Sequence, residues 1–184
     1  MLTPTARPAP VITPTAQATV PRTRAPRATP VVTQAEIDVL AARMRLPIAG
    51  LGAAAIHHTF SEMRGTHRHE ATDIVAIRGT PVLAVDDGVV AKLFTSVPGG
   101  LTVYQFSADG VWSFYYAHLD HYREGLCEGA ELHAGDVIGY VGTTGNAGLT
   151  SHLHFAIFRL GPDHLWWDGT PIDPYPLLRT AVAR

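Results

Sequence analysis

The chain has one cysteine, Cys127. That excludes an internal disulfide and any zinc–thiolate cluster, so a bound metal would have to use histidines and carboxylates. It also lacks a charge excess, with 14 Lys and Arg against 16 Asp and Glu. A general nucleic-acid binder would carry a basic surplus, so that class is set aside. No apolar run reaches the roughly 18 residues that cross a bilayer. The N-terminus has neither the charged start nor the apolar core of about 7–15 residues that marks a secretory signal. Charged residues are only 16% of the 184, whereas glycine (17) and proline (14) are frequent. That balance suits short strands joined by many turns, and the length suits one domain, or one domain and a tail.

Residues 1–32 are dominated by Pro, Thr, Ala, Val and Arg without helical or strand period, which predicts an extended, unpacked tail or stem. Thr33-Gln34-Ala35-Glu36 has the form of a capping box, and Ile37, Leu40, Ala41 and Met44 follow at helical spacing. A short helix is expected over 33–46, stopped by Pro47. Beyond it, over 47–180, short β-branched and aromatic runs alternate with turn signals. Asp86-Asp87-Gly88 predicts a hairpin between 82–85 and 89–94. Val97-Pro98-Gly99-Gly100 turns into 101–106, and Ser107-Ala108-Asp109-Gly110 turns into 111–119. Glu128-Gly129 and Ala134-Gly135-Asp136 bracket a further hairpin leading to 137–141. The pattern predicts an all-β fold, an antiparallel β-sandwich or small barrel with a short N-terminal helix.

Chemistry concentrates in three places. Ser151-His152-Leu153-His154 runs into Phe155-Ala156-Ile157-Phe158, which reads as strand. Alternation puts His152 and His154 on one face about 7 Å apart, where they can share a site without both binding the same ion. His69 and Asp73 are four apart, just before the β-branched run Ile74-Val75-Ala76-Ile77 that favours strand over helix. Two imidazoles and one carboxylate with an open position make a recurrent catalytic zinc set. His118 ends the aromatic stretch Tyr115-Tyr116-Ala117-His118-Leu119. His67 is the one rival ligand and is read as a groove-lining residue. His57, His58, His121, His133 and His164 carry no partner pattern, and Cys127 lies in a turn without a companion. Trp166-Trp167 reads as packing under the C-terminal tail, with a carbohydrate or peptide groove as the alternative.

Taken together, His69-x-x-x-Asp73, Tyr116-Ala117-His118-Leu119 and His152-Leu153-His154-Phe155 resemble the motifs of the lysostaphin/LytM-type zinc metallopeptidases, which cut the peptide part of peptidoglycan. The resemblance runs from about Leu46 to Leu178 and takes in Arg78-Gly79-Thr80-Pro81-Val82, Gly135-Asp136-Val137-Ile138-Gly139, Gly145-Asn146 and Asp173-Pro174. It implies a duplicated-hybrid-motif-like β architecture and Zn2+ as cofactor. His69, Asp73 and His154 would be the metal ligands, with His118 and His152 as catalytic histidines beside the ion. The implied substrate is a peptidoglycan peptide, and the implied location is the periplasm or cell envelope, although no export signal is visible. No nucleic-acid partner and no integral membrane segment is expected, and a monomer is. The family usually has Gly where this chain has Ala71 and Pro where it has Ser151. Neither change removes a functional group, so altered loop shape rather than lost activity is expected. The competing reading is a catalytically silent peptidoglycan-binding or regulatory module of the same fold; five intact site residues count against it. Residues 129–142 also resemble the hairpin of lipoyl and biotinyl carriers. Those need an acceptor lysine at a hairpin tip, and the one lysine here, Lys92, is in mid-strand.

Overall fold

A capping box starts the first helix: the Thr33 hydroxyl accepts from the Glu36 N–H, and the Glu36 carboxylate accepts from the Thr33 N–H. In the computed structural model, which describes residues 30–183, this helix α1 spans Gln34–Arg43. It stops short of residue 46 because Met44 is already extended (φ −60°, ψ 135°) and the Arg45 N–H reaches the Val85 carbonyl at 2.7 Å. Leu40 and Met44 are fully buried in the common core, and Glu36 pairs with Arg159 at 3.0 Å. The helix is thus packed on the β structure. Most of the predicted tail, residues 1–29, lies outside the described residues; the Pro30 carbonyl accepts a hydrogen bond from the Thr170 hydroxyl.

Eleven strands follow among the described residues: β1 Met63–Arg64, β2 His67–Arg68, β3 Thr72–Val75, β4 Pro81–Leu83, β5 Gly88–Ser96, β6 Gly100–Ser107, β7 Trp112–Tyr122, β8 Glu131–Leu132, β9 Val137–Val141, β10 His152–Leu160 and β11 Gly169–Ile172. A second helix, α2 over Pro174–Val182, is capped by the Asp173 carboxylate and has Pro174 at its first position, where a missing N–H costs nothing. Every strand pairing is antiparallel, as expected. One nine-stranded sheet runs β11-β10-β7-β6-β5-β8, with β3 on β10 and with β9 joining β7 to β4; the ring does not close. No helix among the described residues is long and apolar enough to cross a membrane.

Two of the expected hairpins form and two do not. The turns at 97–100 and 107–111 join β5 to β6 and β6 to β7. Asp86-Asp87-Gly88 bends the chain, but β4 pairs with β9 while β5 pairs with β6 and β8, and both strands run in the same sense as β7. Ala134-Gly135-Asp136 likewise separates β8 and β9, which have different partners. Turn chemistry fixes a change of direction; the partner is chosen by long-range burial. At Gly88 the requirement is contact rather than hairpin geometry, since a Cβ there would overlap the Phe106 carbonyl oxygen.

The core lies under one face of β6, β7 and β10. Val103, Phe114, Tyr116, Leu153, Phe155 and Ile157 are all fully buried there, at the alternation a strand imposes. Tyr116 is a polar exception with its partners in place. Its hydroxyl donates to Gln105 Oε1 at 2.7 Å and accepts from the Val85 N–H at 3.0 Å, while Gln105 Nε2 donates to the Asp86 carbonyl at 2.6 Å. Tyr116→Phe strands a buried N–H and a buried amide oxygen, so a loss of about 1–3 kcal/mol is expected. Urea unfolding should show a lower midpoint at unchanged slope.

Candidate metal centre

Strand β10 does what its alternation predicts: Leu153, Phe155 and Ile157 enter the core, and His152 and His154 face the other way. Antiparallel pairing with β3 then places Asp73 directly opposite His154. Such cross-strand neighbours have Cβ atoms about 4.5–5.5 Å apart, close enough to share one ion. His69 arrives from the β1–β2 hairpin. Its backbone N–H donates to the Glu62 carbonyl at 2.8 Å and its ring Nδ1 to the Thr59 carbonyl at 3.2 Å, which leaves Nε2 bare. The next residue, Glu70, turns through left-handed backbone (φ 54°) and leads into β3.

Three donor atoms therefore converge. His69 Nε2 lies 3.0 Å from His154 Nδ1, and each nitrogen lies 3.2 Å from Asp73 Oδ1. Donors held by one tetrahedral ion at about 2.0–2.1 Å are separated by about 3.3 Å, so this triangle has the right edge for zinc. Asp73 Oδ1 is also buried without a hydrogen bond of good geometry, an orphaned oxygen that a cation would satisfy. His69, Asp73 and His154 are the one such group of His, Cys, Asp or Glu donors among the described residues.

His118 reaches the same place through a defect in its strand. Val103 faces Tyr116 and Leu101 faces Leu119, so Thr102 alone opposes both Ala117 and His118. This bulge, with His118 in left-handed backbone (φ 62°), breaks the alternation that would have turned His118 into the core beside Tyr116. Leu119 takes the core position instead, and Tyr115, Ala117 and His118 line the cleft. The ring of His118 lies 4.8 Å from that of His152 and 5.6 Å from that of His154, between centroids. His152 Nε2 is 3.8 Å from Asp73 Oδ1, adjacent to the donor triangle without being part of it. The cleft has a volume of about 480 Å³ and is open to solvent on one side. His67 lines it but is exposed and outside the donor group.

The sequence profile described as Peptidase family M23 matches residues 67–174, more than half of the chain. The chain belongs to peptidase family M23. Among its relatives, the L-Ala--D-Glu endopeptidase of Bacillus subtilis is 33% identical over 121 residues, which is 62% of this chain and 36% of that protein. The DD-carboxypeptidase/endopeptidase Mpg of Neisseria meningitidis serogroup B is 39% identical over 106 residues, 58% of this chain and 22% of that one. This chain thus matches about a third or less of the length of these relatives. The catalytic domain of the antimicrobial peptidase lysostaphin from Staphylococcus simulans superposes with a TM-score of 0.57 at 27% identity, covering 67% of this chain and 91% of that domain.

In this M23 chain the electrostatics keep the donors ready for a cation. Burial opposes charge on Asp73, but the close approach of His154 and His69 overrides it and holds the carboxyl well below the usual range. Burial also lowers the pKa of His154, which keeps its ring neutral. His118 is pushed down to about 4, mainly by burial. Its Nδ1 donates to the Thr144 carbonyl at 2.8 Å and that of His152 to the Thr150 carbonyl at 2.8 Å, so in both rings Nε2 is the nitrogen left to act.

The residues that support this site were not visible in the sequence. The Thr59 hydroxyl accepts from the Asp73 N–H at 3.2 Å and donates to the Ala71 carbonyl at 3.3 Å, while the Thr59 carbonyl holds His69. Arg64 bonds the second oxygen of Asp73 at 3.0 Å, leaving Oδ1 for the triangle. His58 anchors the loop carrying Thr59 by pairing with Asp173 at 2.8 Å and stacking on Tyr175. Backbone carbonyls carry no residue signature, so Thr59, Thr144 and Thr150 gave none; only Gly65-Thr66, a two-residue loop, marked the hairpin that carries Arg64. The two departures from the family pattern are accommodated: Ala71 is fully buried, and the Ser151 hydroxyl donates to the Ala76 carbonyl at 2.7 Å. Thr59→Val keeps the shape and removes the hydroxyl. Zinc affinity, measured against a competing chromophoric chelator, should fall about 10–100-fold.

Proposed function

We propose that the chain is a zinc-dependent endopeptidase that hydrolyses peptide bonds in peptidoglycan stem peptides or cross-links, acting as a monomer in the periplasm or cell envelope. The single observation that carries this reading is the convergence of His69 Nε2, His154 Nδ1 and Asp73 Oδ1 at one end of an open cleft. The names of its relatives, which are endopeptidases, support it. The catalytic domain takes in 47–180, with α1 packed on it.

His69, Asp73 and His154 would hold the ion, which when bound supplies a Lewis acid for the scissile carbonyl and lowers the pKa of water towards about 7. Ionised Asp73 offsets one unit of the cation's charge, and Arg64 keeps that carboxylate in its orientation. His118 and His152 do the proton work. With Nδ1 tied to a carbonyl, each offers Nε2 to take a proton from the attacking water and pass it to the departing amine. Once protonated, the same nitrogen donates to the developing oxyanion. Proton transfer of this kind is worth about 10²–10⁴ in rate, and an oxyanion donor about 10²–10³. The Thr144 and Thr150 carbonyls hold the two Nδ1 atoms, so each ring presents Nε2.

The test is digestion of defined muropeptides by the purified chain, with the fragments weighed by mass spectrometry. Peptide-bond cleavage that stops with a chelator and returns with zinc is expected. Intact peptides in the presence of bound zinc would favour the silent module instead. Activity should fall in acid, because the donor histidines must be neutral to bind metal.

A further inference from the structure

A row of aromatic rings leads away from the metal group and out of the cleft. Tyr115 meets His154 edge-on at 5.8 Å between centroids, Tyr104 lies 4.7 Å from Tyr115, and Trp166 lies 4.9 Å from Tyr104. Trp166 in turn meets Phe94 at 5.1 Å and Trp167 at 5.2 Å. Sheet register explains the alignment. Tyr104 is opposite Tyr115 on one side and Lys92 on the other, and Phe94 is two residues along β5 from Lys92, on the same face. The connection between β10 and β11 lays Trp166 across that face. The ring partners of Trp166 are thus on β5 and β6, and Trp167 meets Trp166 edge-on. Tyr115, Tyr104 and Trp166 are half-buried, but the outer end is open, with Phe94 39% and Trp167 59% exposed. Tyr115 lines the cleft, and large exposed aromatics grouped beyond it mark a binding surface.

We infer that Phe94, Trp166 and Trp167 form a glycan subsite, which takes pyranose rings of the sugar strand to which the cleaved peptide is attached. The inference rests on the peptidoglycan reading above. A pyranose presents a face of C–H groups that meets the negative face of an aromatic ring and is removed from water by it, while an indole N–H can donate to a ring hydroxyl. The charged side chain that shares this face, Lys92, is paired with Glu128 at 2.8 Å, so the rings adjoin a neutralised charge, which suits a neutral sugar better than a charged peptide group. Reach supports the same occupant. Four ring-to-ring steps from His154 to Trp167 cover at most about 21 Å, a span that an extended peptide crosses with about six residues. A bond in the cleft and a sugar on Trp167 can therefore belong to one stem and its strand.

The test uses the full chain and an N-acetylglucosamine tetramer, with binding read by calorimetry and indole fluorescence. Trp112 is buried, so quenching reports on Trp166 and Trp167. Saturable binding is expected, weakened about two- to tenfold by Trp167→Ala and by Phe94→Ala, both exposed enough to leave the fold intact. With zinc-loaded protein, both variants should raise KM for disaccharide-linked stem peptide by the same factor at unchanged kcat. Cleavage of the free stem peptide should be untouched. Absence of saturable tetramer binding, or binding unchanged in both variants, would overturn the inference. A matching KM rise for free peptide would also overturn it, because the rings would then be a peptide site. If the wild type binds the tetramer in this way yet cleaves neither peptide, the subsite stands and the peptidase reading falls.

Discussion

His154→Ala is expected to remove both metal binding and hydrolysis while leaving the fold in place. His154 supplies one of three donors, and its loss opens the triangle that sets Asp73 and His69 at about 3 Å from each other. The drop in zinc affinity should exceed the roughly 10–100-fold that follows loss of a supporting hydrogen bond, because a donor itself is gone. Strand β10 should persist. Its hold on the core comes from Leu153, Phe155 and Ile157, all fully buried, and from pairing with β3, β7 and β11. Circular dichroism should match the wild type, zinc content should fall towards zero, and muropeptide cleavage should disappear. Zinc retained at full stoichiometry in this variant would mean that His154 is no ligand.

His118→Ala separates proton transfer from metal binding. His118 lies 5.6 Å from His154 between ring centroids and contributes no donor to the triangle, so zinc should remain bound at wild-type affinity. kcat should fall about 10²–10⁴-fold, the usual worth of a positioned acid or base, with KM little changed. The bulge survives the substitution because His118 is held by its backbone, whose N–H donates to the Gly99 carbonyl at 2.9 Å. Measuring kcat, KM and zinc content on one preparation distinguishes the outcomes. Loss of zinc would make His118 a ligand, and unchanged kcat would remove it from the mechanism.

The contrast between these two histidines shows how much of the site was legible in the chain. His152 and His154 could be placed by alternation alone, because β10 is a regular strand whose Leu153 and Phe155 are core residues. The capping box at Thr33 was equally local and equally readable. His118 was not, since alternation would have buried it beside Tyr116; the extra residue opposite Thr102 that turns it into the cleft carries no signal of its own. Asp73 was recognisable as a candidate donor four residues after His69, yet its place opposite His154 depends on β3 pairing with β10, some 80 residues away in sequence. The same limit explains the turns at 86–88 and 134–136. Their residues fix a bend between strands, while the choice of β9 for β4 and of β5 for β8 follows from packing of the whole sheet. The carbonyls of Thr59, Thr144 and Thr150, which settle three imidazole tautomers, are backbone atoms that any residue would provide.

The most direct measurement is anomalous scattering at the zinc absorption edge from crystals of the zinc-loaded chain. One peak is predicted, about 2.0–2.2 Å from His69 Nε2, His154 Nδ1 and an Asp73 oxygen, with a fourth position facing the cleft. A peak bound elsewhere, or coordinated by His118 or His152 in place of any of these three, would contradict the account.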